Sequence, residues 1–66
     1  MANYLEVIFN IPVKAVYTYK NIDPNILDIG YRVEANLGNR KLIGFVTGVT
    51  DIEPEGFTVK PILRVV

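Results

Sequence analysis

Residues 38–41, Gly38-Asn39-Arg40-Lys41, combine a glycine turn with two adjacent cations. Gly-Asn is a dipeptide that a tight β-hairpin accepts, so this stretch predicts a turn between two strands. Backbone N–H groups exposed at a glycine turn, with Arg40 and Lys41 beside them, also suit a phosphate group. The local residues leave two alternatives open: a hairpin turn with no further role, and an anion-binding site.

A second stretch that could bind a ligand is Tyr17-Thr18-Tyr19. On a strand the two tyrosine rings lie on one face and Thr18 lies on the other. The rings either cover the edge of the core, or one of them stacks on a nucleobase, an interaction worth about 1–3 kcal/mol per base. Lys60, in the apolar C-terminal segment, is either a solvated side chain or a phosphate contact.

The chain lacks the side chains on which most enzyme active sites depend. It contains no histidine, cysteine or serine, and therefore neither the usual general base and nucleophiles nor thiolate and imidazole metal ligands. A glycine-rich phosphate loop of the GxxxxGK[ST] kind is also missing from the sequence. We expect a non-catalytic domain that uses no metal and no other cofactor.

Length and charge predict one small folded domain over residues 1–66. Half of the 66 residues are hydrophobic, and seven basic residues balance seven acidic ones, which argues against a broad cationic surface. The segment 31–50 is the exception, with three cations and one carboxylate. The N-terminus has no signal-peptide pattern and no apolar run is long enough to span a bilayer, so we expect a cytoplasmic protein without a membrane partner. Since the sequence stops within the apolar stretch PILRVV, we expect it to be the first part of a longer protein.

Alternating hydrophobic and polar residues predict five strands, over 4–11, 16–20, 31–37, 41–50 and 58–66. Pro61 favours an edge position or a bulge in the last strand. The loop before the third strand, in which Asp23-Pro24 could cap one helical turn, is predicted to close at Gly30 with a positive φ. The pattern predicts an all-β fold, a small, strongly curled antiparallel sheet or barrel of OB-like or SH3-like shape.

The fourth predicted strand carries two glycines, which leave gaps in a layer of side chains. Strict alternation puts two sets of residues on opposite faces: Ile43, Phe45, Thr47 and Val49 on one, and Leu42, Gly44, Val46 and Gly48 on the other. Gaps of this kind permit sharp coiling or the close approach of another backbone.

The order of these segments resembles the N-terminal 3′-DNA-binding domain of the PriA family of bacterial replication-restart helicases (primosomal protein N′). The resemblance is carried by IPVKAVYTY, DIGYRVEANLGNRKLIGFVTGV and FTVKPILRVV. The family pattern has a proline-ended first strand, an aromatic–Asp–Tyr element and Pro-Gly-x-Arg-Val. It continues with a glycine-and-basic turn, Gly-x-Val and a late lysine. Each fragment is common by itself, but the ordered set is considerably more specific.

The resemblance implies a module that binds the 3′ end of the nascent leading strand at stalled forks. It implies a pocket formed by Tyr17, Thr18, Gly38 and Lys60, with Arg40 and Lys41 in the adjacent basic turn. Tyr17 would pack on the terminal base or sugar, Gly38 would let the nucleotide approach the backbone, and Lys60 would contact the nucleotide or its phosphate. Thr18 stands where the family has an aspartate, so the acceptor for the 3′-hydroxyl is uncharged and weaker. The resemblance also implies a helicase motor elsewhere in the protein and contacts with other primosome proteins.

Two other classes of function are compatible with the residues. A generic small β-barrel module for protein or RNA would spread its contacts over a sheet face. A packing module would pair its exposed sheet edges with a second copy and form a homodimer.

Overall fold

The computed structural model describes residues 3–12, 15–23, 29–56 and 58–66, which form a single five-stranded sheet. The strands are β1 (Tyr4–Phe9), β2 (Tyr17–Lys20), β3 (Arg32–Leu37), β4 (Arg40–Thr50) and β5 (Arg64–Val65). All strand pairs are antiparallel, in the order β2-β1-β4-β3-β5. The predicted all-β class is confirmed. No helix in the described part of the chain is long and apolar enough to cross a membrane.

One face of the sheet forms the core, as the alternation in the sequence predicts. Burial alternates with exposure along β1, where every second side chain from Leu5 onward is buried. Burying one large apolar side chain stabilises the fold by about 1.5–3 kcal/mol. The buried set draws on four strands and on the C-terminal segment: Leu5, Val7, Phe9, Tyr19, Val33, Ala35, Val46 and Ile62.

The sheet curls so strongly that the C-terminal segment, residues 60–66, forms hydrogen bonds both with β2, at one end of the strand order, and with β3, near the other end. The Lys20 N–H in β2 donates to the Lys60 carbonyl at 2.8 Å, and the Ile62 N–H donates to the Lys20 carbonyl at 3.1 Å. One residue later, the Leu63 N–H donates to the Glu34 carbonyl of β3 at 2.7 Å. The strands themselves do not close the circle, so the fold is a curled open sheet and the expected barrel is matched only loosely.

The predicted strand over 58–66 is wrong in its length. Regular pairing covers only β5, and Pro61 forms an isolated parallel bridge with Lys20. Pro61 has no N–H to donate on the side that faces away from β2, so the ladder with β3 begins only after it. The edge position expected for this segment is confirmed, because β5 ends the strand order.

The loop before β3 closes at Gly30, whose φ of 98° confirms the predicted positive value. The Gly30 N–H donates to the Val46 carbonyl at 2.9 Å, which extends the contact between this loop and β4. The predicted helical turn after Asp23 lies outside the described residues, because it covers positions 24–28.

A β-bulge interrupts the pairing of β1 with β4. Glu6 pairs with Gly48, whereas the next residue, Val7, pairs with Val46, so Thr47 is the extra residue on β4. The Thr47 hydroxyl donates to the Glu6 carbonyl at 3.3 Å. A bulge of this kind bends the strand and shifts the alternation of its side chains by one position.

This shift contradicts part of the predicted face assignment for β4. Val49 pairs with the buried Leu5 and packs against the core, although strict alternation places it with the exposed Phe45. Gly48, predicted to share a face with Gly44, lies on the opposite face. The sequence pattern misses the change because a bulge adds a residue without interrupting the apolar run.

Gly44 permits the close packing of β1 on β4. A Cβ atom at this position would lie 2.5 Å from Val7 Cγ1, 2.8 Å from the Ile8 carbonyl oxygen and 2.9 Å from Phe9 Cδ1. The carbonyl oxygen belongs to the backbone of a paired strand and cannot move aside without disturbing the sheet. The predicted close approach of another backbone is therefore confirmed at Gly44.

We predict that Gly44→Ala lowers the free energy of unfolding by about 1–3 kcal/mol, the usual cost of overpacking a core. Gly48→Ala is the matched control, because the nearest group to its new methyl is the flexible carboxylate end of Glu6 on the exposed face. Urea denaturation of the two variants measures the difference. Equal stabilities for Gly44→Ala and Gly48→Ala would contradict the close packing described here.

Candidate functional site

The turn between β3 and β4 is a two-residue hairpin, as predicted. Leu37 pairs with Arg40 across it, and Gly38 has a φ of 62°. No non-glycine residue in the described ranges has a positive φ, so Asn39 is in the negative region, which is the pattern of a type II′ turn. A Cβ atom on Gly38 would meet nothing within 4 Å, so the backbone of this turn is open to a ligand.

Positive charge around this turn is not neutralised by neighbouring carboxylates. Arg40, Lys41 and Lys60 are exposed, and none of them has an ion-pair partner within the described part of the chain. Glu34, the one carboxylate of the segment 31–50, is 3.1 Å from Arg64 Nε on β5. Three cations are consequently available to an anionic ligand.

The two tyrosines of β2 cover the edge of the core. The Tyr19 ring is buried and lies edge-on to Phe9, with ring centroids 6.1 Å apart. The Tyr17 ring lies 5.8 Å from the same phenylalanine at an angle of 56°. Tyr17 is only half-buried, so part of its ring is still accessible to a ligand.

Tyr19 also ties β2 to the turn. Its hydroxyl donates to the Asn36 carbonyl at 2.6 Å, and Asn36 lies two residues before Gly38. Burial raises the pKa of the Tyr19 hydroxyl above its usual value, with a further contribution from the neighbouring Tyr17. The protonated hydroxyl is the form that donates this hydrogen bond.

Lys60 is held beside β2 by the hydrogen bonds of Lys20. Because the bridge between Lys20 and Pro61 is parallel, the chain before Pro61 runs alongside the chain before Lys20. Lys60 therefore lies next to Tyr19. This proximity of two segments forty residues apart in the sequence arises from the curl of the sheet.

The backbone of Thr18 is a candidate binding group that the sequence does not reveal. The N–H and C=O groups of Lys20 both point away from β1 toward the C-terminal segment, and those of Thr18, two residues earlier, point the same way. The described chain at 58–60 makes no hydrogen bond to them. Sequence patterns do not identify which strand has a free edge, so only the fold discloses this donor and acceptor.

The six predicted residues come from three segments that hydrogen bonds of β2 link to one another. Tyr17 and Thr18 belong to β2, Gly38, Arg40 and Lys41 belong to the turn, and Lys60 belongs to the C-terminal segment. The links run through Tyr19 and Lys20, not through direct contacts among the six. Since Tyr17 and Thr18 lie on opposite faces of β2, a ligand that touches both must lie across the free edge of this strand.

A cavity of about 300 Å³ adjoins the start of β2, next to Tyr17. Ile8, Phe9, Ala15 and Val16 line it, and none of the six predicted residues is among them. Its lining is apolar and offers no charged group to a phosphate. Within the described ranges, no group of three or more carboxylates is placed to hold a metal ion.

A protein-family model described as the 3′ DNA-binding domain (3′BD) of PriA matches residues 6–66. Comparison with curated proteins and with solved structures finds no significant match. The matched range contains all three segments of the candidate site. The family match therefore includes all six residues of the candidate site.

We predict that Tyr19→Phe lowers the free energy of unfolding by about 0.5–1.5 kcal/mol, because it removes the hydrogen bond to the Asn36 carbonyl. Tyr4→Phe is the matched control, since the described structure gives the Tyr4 hydroxyl no hydrogen-bond partner.

The Tyr19 hydroxyl also makes the stability of the fold depend on pH. Because the pKa of Tyr19 is higher in the folded chain than in the unfolded chain, the stability that this group contributes is complete below the unfolded pKa, which is near 10. That stability is lost as the pH rises through the folded pKa.

Denaturation in urea between neutral and alkaline pH measures both effects. Tyr19→Phe should lose the part of the alkaline decline that this hydroxyl causes, and Tyr4→Phe should keep it. An identical alkaline decline in Tyr19→Phe and the unmodified chain would contradict the assignment.

Proposed function

We propose that this chain, which belongs to the family of PriA 3′ DNA-binding domains, binds the 3′ terminus of the nascent leading strand at stalled replication forks. The family assigns the coarser function, DNA binding. The terminus, the fork and the residues that contact the DNA are our proposal, as is a role in a cytoplasmic replication-restart helicase. The observation that supports it best is the pair of hydrogen-bonded contacts by which β2 is linked to the strand before the β3–β4 turn and to Lys60.

Each segment supplies a different kind of contact in this proposal. The turn at Gly38 lets the terminal nucleotide approach the backbone, because no side chain fills the space above it. Arg40, Lys41 and Lys60 contact phosphate oxygens. The accessible part of the Tyr17 ring packs on the terminal base or sugar, a contact that tolerates any base.

Thr18 binds the 3′-hydroxyl in this proposal, with its own hydroxyl as the acceptor. Its backbone N–H at the free edge of β2 is a further donor for an oxygen of the same nucleotide. Thr18 pairs with Glu6 of β1, so the two side chains lie on one face of the sheet. Glu6 therefore brings a negative charge to the neighbourhood of Thr18, which disfavours a strand that ends in a phosphate.

A site of this kind accounts for the zero net charge of the chain. Binding one terminal nucleotide requires few phosphate contacts, whereas coating a duplex requires many. The affinity for single strands should depend only modestly on salt, because the logarithmic slope is about −0.7 per phosphate contacted.

We predict that a short 5′-labelled single strand binds more tightly with a 3′-hydroxyl than with a 3′-phosphate. Lys60→Gln should weaken binding of the hydroxyl-ended strand about tenfold or more, the usual loss of a charge-assisted hydrogen bond. Arg64→Gln is the control, since it removes a cation that lies on β5 and pairs with Glu34. Fluorescence anisotropy measures all these affinities.

Two further variants test the terminus itself. Thr18→Asp should raise the preference for the 3′-hydroxyl, because a carboxylate is a stronger acceptor and repels a phosphate. Glu6→Gln should reduce the preference. Equal binding of the two strands by the unmodified chain, together with no effect of Lys60→Gln, would contradict the proposed end site.

A further inference from the structure

The face of the sheet opposite the core, which we call the outer face, carries two exposed apolar side chains at its centre. Phe45 of β4 pairs with Ile8 of β1, and the two are 44% and 39% exposed, whereas Phe9 on the core face is only 4% exposed. Paired residues on neighbouring strands have their side chains on the same face. An antiparallel sheet with one solvated face ordinarily carries polar residues there, so adjacent large apolar side chains indicate a binding surface.

Two further apolar side chains lie next to this pair. Ile43 precedes Phe45 by two residues on the same face of β4 and is 40% exposed. Val16 is 58% exposed, and continuing the β1–β2 register by one residue places it opposite Ile8, with which it lines the apolar cavity. These four residues form one continuous apolar patch in the middle of the outer face.

One carboxylate and one guanidinium flank the apolar patch on opposite sides. Glu6 lies two residues before Ile8 on the same face of β1, and Arg32 of β3 pairs with Phe45. Both side chains are exposed, and neither has an ion-pair partner within the described ranges. With strands about 4.8 Å apart and a rise of about 3.3 Å per residue, their Cα atoms are about 12 Å apart, too far to pair with each other. The patch therefore fits a surface that carries one charge of each sign.

A second copy of the same face is such a surface. Two facing sheets can be related by a two-fold axis that lies between them, oblique to the strands, and passes between Ile8 and Phe45. On the grid of strand spacings, the axis that lays Glu6 of one copy on Arg32 of the other also lays Ile8 on Phe45. Each of these contacts then occurs twice, because in a two-fold dimer residue i meets residue j and j meets i.

The same axis lays Val16 of one copy on Ile43 of the other, so all four members of the apolar patch lie against apolar partners. Because the sheet curls around the core, the outer face is convex, and only its middle can touch a second copy. The turn at Gly38 and the free edge of β2 lie at the margins of this face and stay accessible. A contact limited in this way is small, which is typical of weak, reversible association.

We infer that the outer face binds a second copy of this chain and forms a weak two-fold dimer. The apolar patch is the centre of the contact, and a pair between Glu6 and Arg32 closes it on each side. This contact joins two sheet faces, unlike the pairing of sheet edges that the sequence leaves open. The inference does not rest on the proposed DNA-binding function, because the contact uses neither the turn nor Lys60.

Charge reversal tests the contact between the two copies. Sedimentation equilibrium of the 66-residue chain, without DNA and at concentrations up to about 1 mM, should show monomers and dimers in equilibrium. Glu6→Lys and Arg32→Glu should each weaken self-association about tenfold or more, because each variant places like charges opposite each other twice. An equimolar mixture of the two variants should associate again, since every facing pair then has opposite charges.

A third variant tests the apolar centre of the contact. Phe45→Thr should weaken self-association about tenfold or more, because it removes a large apolar side chain from both copies. Glu53→Lys and Ile52→Thr are the matched controls, since both residues are exposed in the loop after β4, outside the outer face. Both controls should associate as the unmodified chain does. Urea unfolding of each variant verifies that the chain is folded before association is compared.

The other occupants of the outer face are outcomes of the same test. An unmodified chain that stays monomeric at every concentration would overturn the inference and leave the face to a different protein. Dimers that persist in both Glu6→Lys and Arg32→Glu would overturn it in favour of paired sheet edges. A mixture of these two variants that does not associate would also contradict it. Failure of the proposed end site would appear separately, as equal binding of strands that end in a 3′-hydroxyl and a 3′-phosphate.

Discussion

Two backbone hydrogen bonds of Lys20 hold the C-terminal segment against β2, and the arrangement of the candidate site depends on them. The Lys20 N–H donates to the Lys60 carbonyl, and the Lys20 carbonyl accepts from the Ile62 N–H. Beyond Ile62, which is buried beneath this contact, the same segment pairs with β3. The fold thereby brings Lys60 beside Tyr19 and leaves only the first part of the β2 edge free. A strand with a free edge next to a lysine offers a hydrogen-bond donor, an acceptor and a charge within a small area.

The curl that makes this contact possible has two local causes in β4. The absence of a side chain at Gly44 lets β1 pack closely over the strand, and the bulge at Thr47 turns its second half so that Val49 reaches the core. The same bulge ends the alternation of outward-facing residues just after Phe45. The longest strand therefore contributes to both faces of the sheet, because its inner face shapes the core and its outer face carries the exposed Phe45 beside Arg32.

Much of the fold was predictable from the residues, because it follows from short-range patterns. Period-two alternation located four of the five strands to within two residues at each end, and Gly38 and Gly30 marked the positions of positive φ. The bulge was not predictable, since an inserted residue leaves an apolar run intact. The length of β5 was not predictable either, because the curl of the sheet determines which strands the C-terminal segment contacts. For the candidate site, the sequence indicated the segments that carry the side chains, whereas the free backbone groups of Thr18 follow from the position of β2 at an edge.

The central claim is that three distant segments bind one terminal nucleotide together. Amide chemical shifts recorded while a dinucleotide with a 3′-hydroxyl is titrated into the labelled chain test this claim most directly. We predict that the signals of Thr18, Gly38 and Lys60 shift together and saturate with one dissociation constant. Shifts confined to the cavity lined by Ile8, Phe9, Ala15 and Val16, with those three signals unmoved, would contradict it.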